Sequence, residues 1–75
     1  MVGFIVRVEE NAREFLSASL SRKPHMSVHG AKGDQILLLL DTDDIHVIAQ
    51  STREINEMKG VVGVYPIFSP DSLPF

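Results

Sequence analysis

The hydrophobic positions of this chain fall into four short runs and two helical stripes. The most apolar run is Gln35-Ile-Leu-Leu-Leu-Leu-Asp41, five consecutive apolar residues between Gly33-Asp34 and Asp41-Thr42-Asp43. Five residues are too few for a helix, and turn-forming residues stop the run on both sides, so it predicts a buried strand. Alternation then places Ile36, Leu38 and Leu40 on one face and Leu37 and Leu39 on the other. Residues 2–8 read as another strand, with Val2, Phe4, Val6 and Val8 opposite Gly3, Ile5 and Arg7. A weaker strand spans 25–30, with Met26 and Val28 alternating with His25, Ser27 and His29. A fourth covers 61–68 and contains Pro66, which cannot donate to a ladder and belongs on a sheet edge.

Between these runs the spacing changes. After Glu9-Glu10, Asn11 reads as an N-cap with Glu14 three residues on, and the acids suit the positive end of a helix. Ala12, Phe15, Leu16, Ser19 and Leu20 form its apolar stripe, and Pro24 ends it. Thr42 or Asp43 caps a second helix whose stripe is Ile45, Ile48, Ala49, Thr52 and Ile55, with Met58 near its end and Gly60 as the stop. Ala31-Lys32-Gly33-Asp34 reads as the turn of a hairpin.

The order strand, helix, strand, strand, helix, strand predicts an α+β fold. With a right-handed crossover and a hairpin it becomes the ferredoxin-like βαββαβ arrangement, a four-stranded antiparallel sheet with both helices on one face. The first and third strands are then central, and the His-rich and Pro-bearing strands are edges. Residues 1–68 form the single domain. Residues 69–75, with two prolines, are expected to form a flexible tail whose Leu73 and Phe75 could fold back onto apolar surface.

Composition narrows the function. The chain has 75 residues, no cysteine, 44% hydrophobic and 23% charged residues, and a net charge of −3. A domain this small has one core and no disulfide or zinc staple. The acidic balance, with a pI near 5.4, argues against a nucleic-acid partner. No run is long enough for a membrane span or signal peptide, so the expected location is cytoplasmic.

Catalytic and cofactor chemistry each lack a part. On a strand, His25 and His29 stand about 13 Å apart, too far to share an ion. His46 sits early in a helix beside Asp44, and no serine is paired with a local His and Asp. No Gly-rich phosphate loop occurs. Acylphosphatase relatives need an Arg-bearing loop where this chain has Glu9-Glu10-Asn11, and metal-carrying relatives need Cys-x-x-Cys there. RNA-recognition relatives need stacking aromatics on the central strands. No enzyme, metal or cofactor is expected.

The uncovered face of the sheet carries the functional signal. Ile5, Arg7, Leu37 and Leu39 fall on it, and the third strand breaks the usual apolar–polar alternation of a wet face. A contiguous apolar patch marks an interaction surface, because each Leu left in water forgoes roughly 1.5–3 kcal/mol of burial. A partner, a homodimer through the same face, or the tail would cover it; the alternative is a strand phase shifted by one residue.

With these elements placed, the chain resembles the NapD family over residues 3–68. The likeness is carried by Phe4-Ile5-Val6 before a charged helix start, and by Pro24 before Met26-x-Val28. Gln35 to Asp41 and the run Gly60-Val61-Val62-Gly63-Val64 followed by Ile67-Phe68 complete it. The chain departs from the family at Pro24-His25, where Pro-Gly is common, and at Ser69. The resemblance implies a cytoplasmic assembly chaperone that binds the twin-arginine signal peptide of the periplasmic nitrate reductase catalytic subunit, NapA. It delays export until the molybdenum cofactor has been inserted. The peptide would lie as a helix on Ile5, Arg7, Ser27, His29, Leu37 and Leu39, in the helix-in-groove manner. Its arginines would be attracted by acids among Glu9, Glu10, Asp34, Asp41, Asp43 and Asp44, the first four being the candidate contacts. The rival reading is a small-molecule sensing or dimerisation domain of the ACT or Lrp-effector type. Such domains share the topology but are usually fused to an enzyme or a DNA-binding domain, whereas this chain is expected to stand alone.

Overall fold

The computed structural model describes residues 2–67. Its elements are β1 (Val2–Val8), a 3-10 turn (Glu10–Ala12), α1 (Arg13–Ser21), β2 (Met26–Lys32), β3 (Gln35–Leu40), α2 (Ile45–Glu57) and β4 (Val61–Ile67). The strands form one sheet in the order β2-β3-β1-β4, every neighbouring pair antiparallel. This is the expected ferredoxin-like fold, with β1 and β3 central and Pro66 on an edge strand. Phe68 and the proposed tail, 69–75, lie outside the described residues.

One face of the sheet holds the core. Phe4, Val6 and Val8 of β1 and Ile36, Leu38 and Leu40 of β3 pack with Leu16 and Leu20 of α1 and Ile55 of α2. The strand phase read from the apolar runs is therefore right, and both helices lie on this face. Gly60 closes the layer. It has φ of +95°, and a Cβ there would stand 2.8 Å from the Cβ of Ala12. The α2–β4 connection can press against α1 only because that atom is missing.

The helix stripes are narrower than expected. Leu16 and Leu20 are buried, but Phe15 is 72% exposed, because consecutive helical positions point about 100° apart and Leu16 takes the inward direction. In α2, Ser51 and Ile55 are buried and Ile48 and Thr52 partly so, while Ile45 and Ala49 face out. The stripe runs through 48, 51, 55 and 58, one step round from the expected line.

The caps also differ. The 3-10 turn precedes α1, so Ala12 stands at its N-terminus and Asn11 makes no side-chain cap. Asp44, rather than Thr42 or Asp43, caps α2, its carboxylate accepting from the His46 N–H at 2.9 Å. A tight turn, in which the Thr42 N–H donates to the Leu40 carbonyl at 3.0 Å, takes up the residues between β3 and that cap. His25 has φ of +66° and lies before β2, which begins at Met26. Ala31 pairs with Ile36 and Lys32 with Gln35, leaving a two-residue hairpin loop, Gly33-Asp34. Gly33, at φ +60°, supplies the left-handed residue such a loop requires.

Candidate functional site

The face of the sheet without helices is built from three cross-strand rows, read in the order β2, β3, β1, β4. At one end Ser27, Leu39, Gly3 and Ile67 stand side by side. Gly30, Leu37, Ile5 and Tyr65 form the middle row. Lys32, Gln35, Arg7 and Gly63 form the row at the other end. Strands about 4.8 Å apart put roughly 14 Å between the two edges.

Two register shifts decide which edge residues join. In β2, Val28 pairs with Leu38 but Gly30 pairs with Leu37, so His29 is an inserted bulge residue. The bulge reverses the phase of β2, putting Gly30 and Lys32 on the same face as Ser27. His29 stays on that face, its Nε2 2.9 Å from the Ser27 Oγ. In β4 a shift opposite Arg7 and Val8 leaves Val62 unpaired and 66% exposed, while Gly63, Tyr65 and Ile67 come to this face. Neither shift leaves a mark in the hydrophobic pattern. Tyr65 and Ile67 were accordingly missing from the residues expected here, and only the register reveals them.

Burial across the face is graded. Leu37 is only 7% exposed, not a leucine left in water as expected; it stands in the middle of the three rows, beside Ile5 and between Gln35 and Leu39 of its own strand. Ile5, Leu39 and Ile67 are half-buried and Tyr65 is exposed. The missing side chain of Gly3 is part of this surface: a Cβ there would sit 3.4 Å from Leu39 Cδ2. Gly3 and Gly30 thus add no side chain to rows one and two.

The charged groups separate by end. Arg7 Nη2 lies 2.7 Å from Asp34 Oδ2, with both side chains about half exposed. That hydrogen bond holds the Asp34 carboxyl below the usual carboxylate range and pushes the Arg7 guanidinium higher still. Asp34 is held from behind, because its carbonyl accepts from the Val8 N–H at 2.8 Å. Its neighbour Gly33 accepts from Arg13 Nη1 at 2.6 Å. Of the other acids proposed for peptide arginines, Glu9 lines a groove with Ala12, Phe15, Lys59 and Gly60 in the helix layer. Glu10 lies in the 3-10 turn, and Asp41 is exposed beyond the Leu39 row at the far end. Glu9, Glu10, Asp34 and Asp41 therefore do not converge, and only Asp34 bonds to a residue of the open face.

Among the described residues no group of three or more His, Cys, Asp or Glu is placed to hold a metal ion. No helix among them is long and apolar enough to cross a membrane.

A second depression of about 200 Å³ lies on the helix side, lined by residues including Lys23, His25, Met26, Ser51 and Glu54. None of the residues singled out for binding in the sequence contributes to it.

Comparison with known proteins places this geometry. The structure is similar to the solution structure of the Escherichia coli Tat proofreading chaperone protein NapD, with a TM-score of 0.83 and 16% sequence identity. The match covers 91% of this chain and 74% of that one. Compared sequence against sequence, no curated protein matches the chain. The model of the NapD protein family does match, over residues 1–71. The chain belongs to the NapD family.

Proposed function

We propose that this protein is a non-enzymatic cytoplasmic chaperone that binds a twin-arginine signal peptide on the open face of its sheet. Its client is the nitrate reductase catalytic subunit, NapA, whose export it delays until the molybdenum cofactor is in place. Family membership supports the chaperone role. The observation that carries the binding mode is the open face itself, an apolar surface with an arginine–aspartate pair at one end. The apolar segment of a signal peptide complements rows one and two, and Asp34 is the acid in reach of its basic residues at the end that Arg7 and Lys32 share. An α-helix about 10 Å across fits between edges roughly 14 Å apart. Ile5, Leu39, Tyr65 and Ile67 have surface left to bury against such a helix, whereas Leu37 forms the floor. Ser27 and His29 stand at the β2 edge as polar rim.

The test is titration calorimetry with a synthetic twin-arginine signal peptide and a control with both arginines replaced by glutamine. Low-micromolar or tighter binding that weakens in the control is the expected result. Absence of heat with folded protein would overturn the reading and favour a dimeric small-molecule sensor, checked by sedimentation and an amino-acid ligand screen.

A further inference from the structure

Arg7 presents a cation on a central strand of the face proposed to receive arginines. Left alone it would repel them. It is not alone, because Asp34 binds it at 2.7 Å. Asp34 is fixed by the hydrogen bond from the Val8 N–H and by the short hairpin loop that carries it, whereas Arg7 reaches it with a long flexible side chain.

We propose that Arg7 occupies, in the free protein, the guanidinium position on Asp34 that one arginine of the bound peptide takes over. This inference rests on the signal-peptide reading above and deepens it. The exchange is feasible because both partners are about half exposed, and exposed pairs of this kind break at little cost. It is chemically matched, because one guanidinium replaces another on the same carboxylate. A lysine ammonium has no planar fork to present there. The other acids do not offer this position: Glu9 borders the helix-layer groove, and Asp41 lies beyond the opposite row. The exchange also orients the ligand. Its arginines lie at the Arg7 end, and its apolar segment runs over Ile5 and Leu37 toward Leu39 and Ile67.

Calorimetry of wild type, Arg7→Gln and the double variant Arg7→Gln/Asp34→Asn, each with the twin-arginine peptide and the twin-glutamine peptide, tests the exchange. Circular dichroism and thermal melts establish that each variant is folded. Because the exchange trades one guanidinium for another, Asp34 adds little arginine preference in wild type. Arg7→Gln removes the internal competitor and is expected to tighten twin-arginine binding by up to about five-fold, the range that exposed ion pairs span, with a smaller effect on the twin-glutamine peptide. Adding Asp34→Asn is expected to abolish that tightening. Tightening retained in the double variant, or twin-arginine binding unchanged or weakened in Arg7→Gln, would overturn the exchange while leaving the peptide-binding reading in place. Wild type binding neither peptide would remove both.

Discussion

The hydroxyl of Tyr65 lies 2.8 Å from the point where a Cβ on Gly63 would stand, so the tyrosine ring folds back along its own strand over a residue without a side chain. Gly63 is the register partner of Arg7, and Tyr65 that of Ile5. The ring therefore borders both the apolar and the charged part of the open face. Gly63→Ala makes this position untenable and turns the ring outward. The obstacle is the end of a rotatable side chain and the strand gains a better residue, so stability should stay within about 1 kcal/mol of wild type. Tyr65 is the one tyrosine in a chain without tryptophan, so tyrosine emission reads its environment directly. A shifted emission with an unchanged urea midpoint is the expected outcome; an unchanged emission would show that the ring does not rest on Gly63.

Leu38 and Leu39 are adjacent in β3 yet belong to opposite faces, and truncation should separate them. Leu38 is fully buried in the core, so Leu38→Ala is expected to cost about 2–5 kcal/mol, as buried leucines do. Leu39 is only partly buried, and Leu39→Ala should cost less than half as much. Leu39→Glu should fold and lose signal-peptide binding. Leu37→Glu is a poorer probe, because at 7% exposure the carboxylate would meet a desolvation penalty in the free protein. Urea midpoints for the four variants check the ranking, and equal losses at 38 and 39 would contradict the assigned phase.

The same strand shows how far the sequence was readable. An uninterrupted apolar run with acids at its end admits one strand phase, once β1 supplies a matching alternation. The sheet order and core followed from that and from Pro66. The edges were harder. The inserted residue His29 reverses the phase of β2, and the shift near Val62 carries Tyr65 onto the open face. Both are properties of the pairing between strands, which leaves no periodicity in either strand alone. Phe15 was misplaced for a different reason: at a helical step of 100°, one position decides between core and solvent, and Leu16 wins because Leu20 continues its line. The acids were legible as charges but not as positions, and so Asp34 did not stand out from Glu9, Glu10 and Asp41.

Two left-handed glycines should respond very differently to alanine. At Gly33 nothing lies within 4 Å of an added Cβ, so the substitution meets only the cost of a positive φ, about 1–2 kcal/mol. At Gly60 the same backbone cost is joined by a clash with the Ala12 Cβ at 2.8 Å and close approach to Leu16 Cδ1 at 3.3 Å. The Ala12 Cβ cannot give way without moving the backbone at the start of α1, so Gly60→Ala is expected to lose roughly 3 kcal/mol or more, in the upper range for single substitutions. Chemical denaturation of both variants checks this. Asparagine, which tolerates the left-handed region, should restore most of the loss at 33 and none at 60.

The Arg7–Asp34 pair makes a prediction in pH. Its hydrogen bond lowers the folded-state pKa of Asp34 below its ordinary value. The folded state therefore binds its proton less readily than the unfolded chain does. Stability rises with pH wherever the unfolded state holds more protons. The contribution of the pair is then fully present above the unfolded carboxylate value of about 3.9, and is lost as pH falls through the lower folded value. Asp34→Asn removes this linkage. The melting temperature of wild type should exceed that of the variant by a small constant amount from pH 5 to 8, and the two should converge as pH drops below 4. Because both side chains are exposed, added salt should shrink the gap at neutral pH. A gap that persisted unchanged at pH 2.5 would assign the effect of the substitution to the hairpin loop, and would remove the ion pair as its source.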